Sequence, residues 1–125
     1  MFFKIESKEK FHVITVLEPE LTASLSAELK QLAQEILTAR GVRNLILVMG
    51  LVERIELPAA EVLVELQSEF NQAAASFVIC CLQPGVENTL ELAELLDLIN
   101  ATPTESEAWD IVQMEEIERE LLNDQ

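Results

Sequence analysis

The 125-residue chain has no tyrosine, one histidine, two cysteines, three glycines and five phenylalanines, and its 8 Lys and Arg face 23 Asp and Glu. Each shortage removes a class of chemistry. Gly41, Gly50 and Gly85 stand singly, so there is no glycine-rich loop to cradle a nucleotide phosphate, and the P-loop and dinucleotide fingerprints are absent. With His12 as the only imidazole and Cys80 next to Cys81, soft ligands are too few for a zinc site, and no metal or cofactor is expected. Cys80 and Cys81 adjoin within an apolar run, where successive strand side chains point to opposite faces, so they read as core thiols of a reducing compartment, not as a bridge. His12 alternates with Phe11 and Val13 in a strand pattern and reads as a half-exposed strand residue. A nucleophile activated by a base has no evident partner set, and abundant carboxylates carry no specificity as an acid/base pair, so no catalytic residue is assigned.

The deficit of positive charge has a direction. Residues 1–54 hold seven acids and seven bases, whereas the remaining 71 hold sixteen acids and one base, Arg119. The whole formal charge of −15 thus lies beyond Arg54. Such a surface repels nucleic-acid phosphates and anionic lipid, so neither nucleic acid nor membrane is an expected partner; the excess reads either as solubility for a small apolar-rich protein or as the complement of a basic partner meeting the C-terminal half. No apolar run approaches the ~18 residues of a membrane span, and the N-terminus lacks the pattern of a secretion signal, so a cytoplasmic, single-domain protein is expected over 1–125. Half the residues are hydrophobic, enough for one core in a chain of 14.0 kDa.

Periodicity supplies the organisation. Met1 to Ile5 and Phe11 to Leu17 read as a hairpin. Leu25, Leu29, Leu32 and Ile36 mark a helix capped by Thr22 or Ser24, with Gly41 as its left-handed stop. Leu45 to Met49 reads as a strand covered on both faces, at the sheet centre. Pro58 suits a first helical turn, and Ala59, Val62, Leu63, Leu66, Phe70 and Ala73 form the stripe of a second helix. A strand follows over Ser76 to Leu82, then a turn at Pro84-Gly85, and a third helix marked by Val86, Leu90, Ala93 and Leu96. A brief edge strand is expected at Asn100 to Thr102. Thr104 with Glu107 then opens a last helix carrying Ala108, Ile111, Val112, Ile117 and Leu121. This order predicts an α/β fold with a mixed sheet of four to five strands, an N-terminal hairpin and four helices.

Glu61, Glu65 and Glu69 recur every fourth residue on the second helix, and each like-charged pair costs a few tenths of a kcal/mol. Folding does not require that stripe. It reads either as a solvated face or as carboxylates offered to Arg or Lys of a partner, with Leu57 and Pro58 as an apolar centre at the helix start.

Taken in order, Phe11 to Leu17, Leu21-Thr22, Val42 to Leu47, Ser76 to Val86 and Pro103-Thr104 with Glu107-Ala108 resemble the STAS domain of bacterial anti-sigma-factor antagonists across nearly the whole chain. In that family a partner kinase phosphorylates Ser or Thr at the start of the second helix, in a motif reading Asp, Ser, Ser or Thr, Gly after a strand ending Asp-Leu-Ser. The equivalent residues here are Glu56, Leu57, Pro58 and Ala59, after Val48, Met49 and Gly50. Both hydroxyl positions are gone, and no Ser, Thr or Tyr occurs between Gly50 and Gln67. The resemblance implies a non-catalytic interaction module that binds an anti-sigma factor or related kinase through Glu56, Leu57, Pro58, Ala59, Glu61, Glu65 and Glu69, without phosphorylation control. Two alternatives stand beside it: a structural, oligomerising STAS subunit using the apolar strand edges and the last helix with Trp109, Ile111 and Met114, or a small-ligand carrier. A monomer or weak homodimer is expected.

Overall fold

A computed structural model describes residues 2–123. Strand β1 (Phe3–Ser7) pairs antiparallel with β2 (His12–Val16), placing Ile5 opposite Ile14. Met1, expected in the first strand, lies outside the described residues. Helix α1 (Ala23–Thr38) follows a two-residue strand β3 (Glu20–Leu21), and Thr22 Oγ1 accepts the Leu25 N–H at 3.2 Å as its cap. The chain then runs through β4 (Leu45–Val48), β5 (Arg54–Ile55), α2 (Leu57–Gln72), β6 (Phe77–Cys80), α3 (Pro84–Leu92), a 3-10 turn (Leu96–Leu98), β7 (Ala101–Thr102) and α4 (Glu105–Asn123). The main sheet has the order β1-β2-β4-β6-β7, parallel after the hairpin, with β4 at its centre; β3 and β5 form a separate parallel pair.

Alternation of side chains divides the core in two. Ile14, Val16, Leu45, Leu47, Phe77 and Ile79 pack beneath α1 and α2, with Phe70 against Phe77 at 5.2 Å between ring centroids. Val13, Ile46, Val78 and Cys80 face the other way, onto Ala108 and Val112 of α4, where the Phe11 and Trp109 rings meet at a tilt of 59° with centroids 5.1 Å apart. The apolar run of β4 is therefore buried on both sides, as its sequence pattern predicts.

Four local readings are corrected. Pro84 and Gly85 do not form a turn but are the first two residues of α3, since Pro lacks the N–H that a first turn leaves unbonded. Leu96 belongs to the 3-10 turn, not to α3. The strand expected over Ser76 to Leu82 is confined to Phe77–Cys80; Cys81 adopts φ +65°, which ends the extended run while its N–H still donates to the Thr102 carbonyl at 3.1 Å. Gly41 is left-handed, with φ +100°, but α1 stops earlier, at extended Ala39, so Gly41 shapes the loop into β4 and is no helix cap. His12 is half-buried as expected, its ring bonded on both sides, to Ser7 Oγ at 2.9 Å and to the Val42 carbonyl at 3.1 Å.

Candidate functional site

The start of α2 is held from three directions. The loop between β4 and β5 is drawn onto the start of α3, where Gln83 Nε2 donates to the Gly50 carbonyl at 2.7 Å. The Glu53 carbonyl sits so close to Gly85 that a Cβ there would lie 2.8 Å from it, which is the packing reason for glycine at that position. On the other side, the Pro19 carbonyl accepts from Glu53 and Arg54 N–H at 2.7 and 3.1 Å, and the Leu21 carbonyl accepts from Glu56 N–H at 3.0 Å. Buried Met49, Val52 and Ile55 anchor this segment from below.

On that platform the expected site residues take different roles. Leu57 and Pro58 open α2, and Leu57 is 51% exposed. Glu56 is the residue before the helix, yet its carboxylate does not cap α2; it accepts the Ala23 N–H of α1 at 2.7 Å, joining the starts of the two helices. Glu61 is exposed one turn further on. Glu65 is paired with Lys30 of α1 at 2.7 Å, which holds the lysine pKa above its usual value, and Glu69 accepts from Gln34 Nε2 at 3.0 Å. Thus the stripe runs along the seam with α1, and of its three carboxylates only Glu61 makes no hydrogen bond or ion pair among the described residues. Ala59 is fully buried, so it sets the spacing of the helix start from beneath and presents no side chain to a partner.

Sequence reasoning missed one exposed apolar residue on the loop that runs from β4 to β5. Leu51, in the loop before β5, is 55% exposed and precedes buried Val52. A periodic pattern cannot find a lone apolar residue in a loop. The two roomiest clefts described, about 510 and 460 Å³, are lined by other residues, the first around Phe2 and Leu25 and the second around Arg43 and Arg119. Leu57 lines neither. Among the described residues no cluster of His, Cys, Asp or Glu is arranged to hold a metal ion, and no helix is long and apolar enough to cross a membrane. Cys80 is buried and free, and its thiol pKa is pushed up by that burial and by Cys81 beside it, which keeps it protonated.

Comparison with known proteins agrees with this architecture. An anti-sigma factor antagonist from Mycobacterium paratuberculosis shares 17% identity and superposes with a TM-score of 0.75, over 89% of this chain and 92% of the other. RsbS from Moorella thermoacetica, as a serine-to-glutamate variant, gives 20% identity and 0.73, over 89% and 94%. The unphosphorylated anti-sigma factor antagonist SpoIIAA gives 18% and 0.71, over 89% and 96%. No curated protein matches the sequence. The STAS domain model matches residues 3–108, from the first strand into the last helix, and the chain belongs to the STAS domain family.

Proposed function

We propose that this chain is a non-catalytic protein-interaction module of the anti-sigma-factor-antagonist kind, which docks an anti-sigma factor or related kinase through the start of α2 and is not controlled by phosphorylation there. The observation that carries the reading is Leu57, half exposed on the first turn of α2 and braced by Glu56, Pro58 and the β3–β5 pair. A rigid apolar residue beside an exposed carboxylate, Glu61, has the makings of an interface centre with a polar rim. By the family resemblance Leu57 and Pro58 stand in place of the hydroxyl residues of the motif, and with no Ser, Thr or Tyr between Gly50 and Gln67 a kinase partner finds no acceptor on that turn.

Capture of binding proteins on the immobilised chain tests the docking face. The variant Leu57→Ser with Glu61→Lys should lose an anti-sigma-type partner that the parent retains, by roughly tenfold or more in affinity. An unchanged partner set would remove the site from α2. Incubation of the parent with that partner and ATP should leave its mass unaltered; a gain of one phosphate would overturn the absence of control.

A further inference from the structure

The second half of α4 is amphipathic in the inverse sense. Up to Val112 the helix turns its apolar side to the sheet, with Ala108 and Val112 fully buried. Beyond it the inward positions become Glu115, Glu116 and Arg119. These three are tied to the residues that lead into the N-terminal ends of β4 and β6. Asn44 Nδ2 donates to Glu116 Oε2 at 2.9 Å, Arg119 donates to Asn44 Oδ1 and to Ser76 Oγ, each at 3.1 Å, and Ser76 donates to Glu115. Their bonds fix the rotation of the helix about its axis. The apolar residues of the same turns, Met114, Ile117 and Leu121, consequently face solvent at 59%, 56% and 62% exposure. Their spacing of three, then four, makes one strip roughly 10 Å long.

We propose that this strip is a second docking surface, separate from the start of α2, and that its occupant is a basic amphipathic helix of a partner protein. Three positions at i, i+3 and i+7 are what a helix laid alongside engages. Charge selects the occupant: Glu107, Asp110, Glu118 and Glu120 border or continue the strip, and Arg119, the one base on the helix, is turned inward. A second copy of this chain would bring the same carboxylates against one another, each chain carrying a formal −15. Lys or Arg flanking an apolar stripe meets both requirements.

The probe is a synthetic Leu/Lys amphipathic helix, with its sequence-scrambled isomer of equal charge as control, titrated into isotopically labelled protein at about 0.15 M salt, where long-range attraction is screened. Amide shifts should centre on residues 110–122 for the amphipathic helix and be weak and scattered for the scrambled isomer. The variant Met114→Gln, Ile117→Gln, Leu121→Gln should keep the parent's unfolding temperature, because all three side chains face water, and bind the probe roughly tenfold more weakly. Ile117→Lys alone should weaken it through charge, whereas Leu57→Ser with Glu61→Lys should leave it unchanged, which separates this surface from the one on α2. Equal binding of the scrambled isomer, no binding of the amphipathic helix, shifts centred on α2, or a concentration-dependent dimer abolished by the triple variant would each overturn the proposal.

Discussion

Ala74 and Glu94 occupy left-handed backbone, with φ of +56° and +61°, immediately after the C-caps of α2 and α3. Ala75 N–H returns to the Phe70 carbonyl at 2.9 Å and Leu95 N–H to the Leu90 carbonyl at 2.8 Å, the wrap that ordinarily recruits glycine. A chain with three glycines meets this need with L-residues, which pay about 1–2 kcal/mol each in that conformation. Ala74→Gly should therefore stabilise the protein by about 0.5–1 kcal/mol, after allowance for glycine's larger unfolded-state entropy, read as a higher denaturant midpoint with unchanged slope. Glu94→Gly should gain more at low salt because it also removes a charge from the acidic turn after α3; comparison with Glu94→Gln isolates the backbone contribution.

At the scale of elements, strong periodicity was legible and short-range geometry was not. The stripes of α1 and α2 and the doubly buried β4 follow from apolar spacing, and Thr104 does accept the Glu107 N–H at 3.2 Å at the start of α4. The β3–β5 pair has two residues on each side, Glu20-Leu21 and Arg54-Ile55, too few to show any period. It nevertheless positions the start of α2. Likewise, α4 was readable where Ala108 and Val112 face the core, but the exchange of apolar for polar inside depends on Asn44 and Ser76, distant in sequence. Their network makes a pH prediction. Hydrogen bonds from Asn44 and then Arg119 hold the Glu116 carboxyl below its ordinary 4.5, with burial opposing them. A carboxylate whose folded pKa is depressed contributes stability above the unfolded value and loses it as pH falls through the folded one. Unfolding temperatures measured from about pH 6 down to pH 3 should fall more steeply below 4.5 for the parent than for Glu116→Gln. Asn44→Ala, which leaves the buried Ser76 N–H without its 2.9 Å acceptor, should cost about 1–3 kcal/mol throughout, with a further loss near pH 6 that fades as Glu116 is protonated.

For the whole molecule the deciding quantity is the balance between attraction and repulsion among exposed charges. Among the described residues there are five ion pairs, and most of their side chains are open to solvent, so each contributes little and is weakened further by salt. Against them stands the excess of carboxylates beyond Arg54, part of it gathered at α3 and the turn after it, where Glu87, Glu91, Glu94 and Asp97 surround one shallow cleft with no cation in its lining. Net charge of this size destabilises a compact state through self-repulsion. Salt should therefore act opposite to its effect on a pair-stabilised protein: raising NaCl from about 0.05 to about 0.5 M should increase the unfolding temperature by a few degrees. The variant Glu87→Gln, Glu91→Gln should unfold at a higher temperature than the parent in low salt and respond less to added salt. A parent whose unfolding temperature falls with salt would show that the ion pairs outweigh the repulsion. The same repulsion opposes self-association through the acidic helices, so sedimentation at micromolar concentration and low salt should give a monomer.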